Sequence, residues 1–117
     1  MAVKHATVEV GKPPKKFKAV VHFEDGRHCT VPFGQVSPAD PLNDFPHHRD
    51  PARRADYLRR HRASENWQDP CSAGFWSRWM LWEHETPKGI ADVLRTKLHA
   101  PVRFAPGVAE QLQRPYR

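Results

Sequence analysis

Arginines are concentrated in one short segment of this 117-residue chain. Over residues 49–62 six arginines stand against two aspartates, in a chain whose net charge is +6. The planar fork of arginine suits phosphate and carboxylate, so we expect the segment to meet a nucleic acid or an acidic protein face. The alternative is a solvated helix with some arginines paired inside the domain. The predicted binding residues are Arg49, Arg53, Arg54, Arg59, Arg60 and Arg62.

A second group of polar side chains surrounds the same segment. Histidine and carboxylate groups suit zinc or another transition metal, but the spacing of His47, His48, Asp50 and His61 matches no zinc signature. We therefore predict no bound metal and no other cofactor. Two interpretations stay open, a hydrogen-bonded lock that fixes the arginine helix and a single ligand site. This predicted polar corner consists of His48, Asp50, Tyr57, His61 and Trp67.

Patterns typical of enzymes do not stand out. We find no Ser/His/Asp order, no glycine-rich phosphate loop and no paired carboxylates. The length is that of one domain, so we do not expect a large enzyme with a deep cofactor cleft. We predict no catalytic residues and a protein that is not an enzyme.

Composition limits where the chain acts. Hydrophobic residues make up 38%, and no apolar stretch is long enough to span a membrane. The first residues lack the apolar core of a secretory signal. Cys29 and Cys71 are far apart in sequence, which favours free thiols over a single structural disulfide. We expect a reducing intracellular compartment, a virion or an organelle interior, and not secretion.

The clearest local pattern is a β-hairpin. Apolar and polar residues alternate over 17–23 and 29–33, with Gly26 between them. A three-residue turn with Gly26 in the left-handed conformation puts nearly all the apolar side chains on one face, whereas a two-residue turn divides them. The predicted pairs are Phe23 with Arg27, Val21 with Cys29, Ala19 with Val31 and Phe17 with Phe33.

Three helices follow an irregular connector over 35–49. A capping oxygen precedes a proline at Asp50-Pro51, Asp69-Pro70 and Thr86-Pro87, which predicts helices over about 51–62, 70–83 and 87–98. The second helix carries the aromatic stretch 74–82, whose spacing favours core over a binding strip, with interface use of Trp76 or Leu81 left open.

These elements predict one α+β domain. An antiparallel hairpin, or three strands if residues 5–10 join it, packs on three short helices. We divide the chain into an N-terminal arm over 1–14, the domain over 15–99 and an extended C-terminal tail over 100–117. The predicted core consists of Phe17, Val21, Phe23, Val31, Phe33, Phe75, Trp79, Trp82, Ile90, Val93 and Leu94.

A string of motifs over residues 15–98 resembles a known domain family. The string comprises Lys16-Phe17, Phe33-Gly34, Asp44-Phe45-x-x-His48-x-Asp50-Pro51-x-Arg53, Tyr57-Leu58-x-Arg60-His61, Glu65-Asn66-Trp67, Ala73-Gly74-Phe75-Trp76-Ser77, Leu81-Trp82, Thr86 and Ile90-Ala91-Asp92. It is similar to a small uncharacterised family of large DNA viruses of algae and amoebae, of phages and of some protists. The family has no established activity, so the resemblance implies a virion setting and no particular reaction.

Together these features predict a non-catalytic accessory or structural subunit of a larger assembly. The expected partners are other protein subunits of a virion or an organellar complex, contacted through the arginine helix and the extended termini. The alternative is a basic module that binds nucleic acid, contacting phosphates through the same helix.

Overall fold

Four strands form one mixed sheet in the computed structural model, which describes residues 2–37, 39 and 43–113. The strand order is β3-β2-β1-β4; β1 is antiparallel to β2 and β2 to β3, while β4 runs parallel to β1. The α+β prediction is confirmed, although the sheet is larger than the predicted hairpin. The strands are β1 Val3–Val10, β2 Lys15–Phe23, β3 His28–Gln35 and β4 Val102–Phe104.

The hairpin of β2 and β3 has the predicted register. Val21 is opposite Cys29 and Phe17 is opposite Phe33. The backbone amide of Phe23 donates to the Arg27 carbonyl oxygen at 2.9 Å, and Gly26 has a φ of +90°, the left-handed conformation that the three-residue turn requires. The apolar side chains of both strands, apart from Val20 and Pro32, therefore face the helices.

The N-terminal residues join the sheet, which is the three-stranded alternative to a separate arm, and the predicted extended tail is corrected in the described residues. Residues 3–10 form β1, which pairs with β2 on one side and β4 on the other. Residues 102–113 supply β4 and a further helix and are not an extended tail. Burial explains both results, because Val8, Val102 and Leu112 lie in the same core as the hairpin. Residues 114–117 of the predicted tail lie outside the described residues.

Five helices and a π-helical segment complete the described chain. The first and third predicted helices are confirmed, each with a side-chain cap, from Asp50 in one and Thr86 in the other. A short helix occupies part of the connector that was predicted to be irregular. The helices are α1 Phe45–His48, α2 Pro51–His61, α3 Ala73–Trp76, α4 Pro87–Leu98 and α5 Val108–Gln113, and the π segment is Ser77–Leu81.

The second predicted helix starts later and has a different register. The Ser72 hydroxyl caps α3 by accepting from the Phe75 amide at 3.2 Å, while the Asp69 carboxylate accepts from the Cys71 amide in the preceding turn. After Trp76 the chain continues as the π segment. The predicted start at Asp69-Pro70 is therefore wrong, because the Asp69 side chain closes a turn instead.

The π segment also changes which aromatic side chains enter the core. Each hydrogen bond of a π-helix spans one more residue than in an α-helix, so the side chains that follow are rotated around the helix axis. Trp76, Met80 and Leu81 are buried, whereas the predicted core residues Trp79 and Trp82 are half-buried and pack against the core's edge. Val93 is also half-buried, and the eight other predicted core residues are buried.

Cys29 and Cys71 form a disulfide, which corrects the expectation of free thiols. Cys29 lies on β3, Cys71 lies in the turn before α3, and packing of α3 against β3 brings their Cα atoms to 5.9 Å. The two cysteines are 42 residues apart in sequence, and this separation gives no indication that they are close in the fold. Persistent disulfides are typical of oxidising environments, so the expectation of a reducing compartment loses the observation on which it rested.

Candidate binding site on the arginine helix

The start of α2 is fixed by the residues of a sharp corner. The Asp50 carboxylate accepts from the Ala52 amide at 2.9 Å, and the Asp50 amide donates to Nδ1 of His48 at 2.9 Å. Arg49, between them, has a φ of +52°, which ends α1 and turns the chain into α2. His48 and Asp50 of the predicted polar corner thus set the direction of the arginine helix.

Stacked rings hold α2 on the body of the protein. Tyr57, the one buried side chain of α2, lies flat against Trp82, with ring centroids 4.4 Å apart and an interplanar angle of 3°. His61 stacks on the other side of Tyr57, also at 4.4 Å. His48 lies 5.2 Å from Trp82 and 5.9 Å from Phe45. A helix with few aliphatic residues therefore docks through a row of five rings.

Glu65 joins the other members of the polar corner. Its Oε1 accepts from Nε1 of Trp67 at 3.0 Å and from the Tyr57 hydroxyl at 3.4 Å, and its Oε2 lies 2.9 Å from Nδ1 of His61. Burial, together with the negative charge of Glu65, raises the pKa of Tyr57 well above its ordinary value. These contacts favour the interpretation of this end as a hydrogen-bonded lock.

A second clamp lies at the end of the π segment. Arg54 on α2 donates to the Trp82 carbonyl oxygen at 2.9 Å and to the Glu83 carboxylate at 2.5 Å. Arg78, which is buried, donates to the same carboxylate at 2.6 Å. Burial by itself raises the pKa of Glu83, but hydrogen bonds from Arg78 and then Arg54 outweigh it and leave that pKa below its ordinary value.

The structure separates the six predicted binding arginines by role. Arg54 is committed to the clamp with Glu83. Arg53 is half-buried and lines a cleft together with Arg60. Arg59 is 74% exposed and pairs with Asp56 at 2.7 Å, which is the weak kind of surface ion pair. We call the exposed members of the set the outer arginines: Arg49, Arg59, Arg60 and Arg62.

The cleft beside α2 has a volume of about 440 Å³ and lies between α2, the end of β3 and the π segment. Of the three described carboxylates that line it, Asp56 is exposed and paired with Arg59, whereas Asp44 and Glu65 are engaged inside the protein. Asp44 accepts from the buried ammonium of Lys16 at 2.7 Å, and Glu65 is held as described above. The cleft therefore offers arginine at its rim and already paired carboxylates in its wall.

Sequence reasoning missed Lys16, Arg78 and Glu83. Lys16 directly precedes the core residue Phe17, and Arg78 lies in the aromatic stretch whose residues Trp76 and Met80 enter the core. A charge that is buried in such a segment requires a partner, so these positions are the signal that identifies the two residues. No local pattern identifies Glu83, because its partners Arg54 and Arg78 lie on α2 and the π segment, which come together only in the folded chain.

Comparisons add no external assignment to this site. No protein-family model, curated protein or solved structure matches the chain. In the part of the chain that the structure describes, no three His, Cys, Asp or Glu side chains converge as metal ligands. No helix among those residues is long and apolar enough to cross a bilayer.

Proposed function

We propose that this protein is a non-catalytic accessory subunit of a larger macromolecular assembly, and that the outer arginines dock it on an acidic face of a neighbouring protein. The observation that carries the proposal is the one-sided attachment of α2. Its Tyr57 and Arg54 are used for contacts with the body of the protein. The outer arginines are exposed, and within the described residues their side chains hydrogen-bond only to their own or the preceding helix, at Pro46 and Asp56.

A fixed helix suits this role for a physical reason. Interface arginines that are already positioned lose less conformational entropy on binding than side chains on a mobile loop. Arginine is also enriched at interfaces, where its planar guanidinium group can bind one carboxylate through two parallel hydrogen bonds. The weak Arg59–Asp56 pair can exchange Asp56 for a partner's carboxylate at little cost. Tyr57, His61 and Glu65 contact one another through ring stacking and hydrogen bonds, which supports a role of the polar corner in positioning α2 and not in catalysis.

The test reverses charge on the proposed surface. The variant Arg59→Glu/Arg60→Glu/Arg62→Glu is compared with a control, Lys12→Glu/Lys88→Glu/Arg95→Glu, which reverses three exposed cations elsewhere. In extracts of the source cells, separated by density-gradient sedimentation, wild type and control should travel with a large complex and the α2 variant as free protein. Free wild-type protein, or an α2 variant that stays in the complex, contradicts the proposal.

The second candidate function is nucleic-acid binding by the same outer arginines. It is favoured by Arg59, Arg60 and Arg62 all being exposed at the end of α2, where they can contact successive phosphates. Counterion release makes such binding fall steeply with salt. We expect a slope of log affinity against log salt that decreases by about one for each arginine removed, and a flat response rules this candidate out.

A further inference from the structure

One face of the sheet is left open by the helices. Ala6, Val8 and Val21 point into the core, so their neighbours in sequence point to the opposite face. The side chains on that opposite face are half-buried or exposed. We call it the open face, and it belongs to a different part of the molecule from the outer arginines.

Three histidines form a row across the open face. His5 on β1 is opposite His22 on β2, and His22 is opposite His28 on β3. The rings of His5 and His22 are stacked with centroids 4.5 Å apart, and those of His22 and His28 are 5.8 Å apart. Because His5 and His22 cover each other's facing π-surfaces, the row offers ring nitrogen groups along its length and an exposed ring at its His28 end, on the edge strand β3.

The charges beside this histidine row are mainly positive. Arg103 on β4 is exposed and lies opposite Thr7 in the neighbouring row of the open face. Lys18 follows one row further and is paired with Glu9 at 3.5 Å, with both side chains about two-fifths exposed. In the strands that the structure describes, Glu9 is the one carboxylate on this face.

We propose that the open face binds single-stranded nucleic acid, with ring nitrogens of the histidine row hydrogen-bonding to base edges, a base stacking on His28, and phosphates contacting Arg103 and Lys18. Single strands expose unstacked bases, which proteins bind through aromatic rings, histidine among them, and through nearby cations. A duplex keeps its bases stacked and paired, and its major groove typically admits a helix or a two-stranded ribbon. This inference is independent of the function proposed for α2.

The first experiment measures binding of fluorescein-labelled oligouridine and oligothymidine, each of about 12 nucleotides, by fluorescence anisotropy at low salt. The variant His5→Ala/His22→Ala/His28→Ala should weaken binding at least tenfold. The control His84→Ala removes an exposed imidazole outside the sheet and should leave the affinity unchanged. Arg103→Ala should reduce the salt slope by about one. The two oligonucleotides distinguish RNA from DNA as the preferred strand.

The second experiment does not depend on how the triple variant folds. Ring signals of the eight histidines are recorded by NMR on the unmodified protein, and oligouridine should move those of His5, His22 and His28. The proposal is overturned if the protein binds neither oligonucleotide, or if it binds a duplex of the same length equally well. It is also overturned if Arg59→Ala/Arg60→Ala/Arg62→Ala abolishes binding and oligouridine leaves the ring signals of the three histidines unshifted. A further contradicting result is that polyglutamate shifts these signals as much as oligouridine does.

Discussion

Glu83 has a larger role than its position after an aromatic stretch indicates. Its single carboxylate receives Arg54 from α2 and Arg78 from the π segment, so one side chain joins two elements. Arg78 in turn lies between the rings of Trp67 and Trp79, with its guanidinium carbon 5.3 Å and 4.2 Å from their centroids. Removing the carboxylate leaves a buried guanidinium without its anion.

We expect Glu83→Gln to lower the free energy of unfolding by about 1–3 kcal/mol at neutral pH, because charge-assisted hydrogen bonds to two arginines are lost. The pKa of Glu83 is lower in the folded than in the unfolded chain, so this stabilisation is complete above the ordinary value of 4.5 and disappears on acidification below it. Urea unfolding across that range should show a weaker acid dependence in the variant. An equal acid dependence in both proteins contradicts this assignment.

At the scale of elements, the turn from α3 into the π segment decides which tryptophans are buried. The apolar spacing over 74–82 predicts a helix against the hairpin, and that packing is correct. The register could not be predicted, because π segments are rare and no residue type marks them. An α-helix over 70–83 favours Trp79 and Trp82, whereas the structure buries Trp76 and lets its Nε1 donate to the Pro70 carbonyl oxygen at 2.8 Å.

Two tryptophan substitutions test the π register. Trp76→Ala should cost about 3–5 kcal/mol of unfolding free energy, because it empties a fully enclosed site. Trp79→Ala should cost less than half as much, since that ring is half-buried and contacts Arg78 and Lys97 at its faces. Thermal or urea unfolding measures both. The reverse order of costs indicates the regular α-helix that the sequence predicts.

The sequence predicts which residues form the candidate site better than it predicts how they are arranged. Residue types and spacing around α2 identify His48, Tyr57 and His61, and the structure brings all three into one row of rings. The sequence does not show which arginines are paired inside the protein and which are exposed. The pairing of Arg54, for example, depends on Glu83, which follows it by 29 residues. Local patterns carry no information about such long-range pairs.

At the scale of the whole molecule, the ends of the described chain are parts of the fold. β1 lies between β2 and β4, and α5 places Val108 and Leu112 in the core. For these two end segments the sequence left an arm or a third strand open at the N-terminus, and Pro101, Pro106 and Pro115 suggested an extended tail at the C-terminus. Their stability comes from contacts with one another and with the hairpin.

Leu112 provides the test of this arrangement. Leu112→Ala should lower the unfolding free energy by about 2–4 kcal/mol, the usual cost of emptying a buried leucine site. Gln113→Ala, at the neighbouring exposed position, should leave it unchanged. Both are measured by urea unfolding. A Leu112→Ala protein as stable as wild type is the result expected of an extended tail, and it contradicts the packing described here.

The parallel pairing of β1 with β4 has a consequence for synthesis. β1 leaves the ribosome among the first residues of the described chain, but its partner at Val102–Phe104 is made after α4. Until β4 is made, the edge of β1 lacks the strand that pairs with its amide and carbonyl groups in the folded protein. Such an edge pairs readily with other chains. The nascent protein is therefore most prone to aggregate in that interval, when a chaperone protects it best.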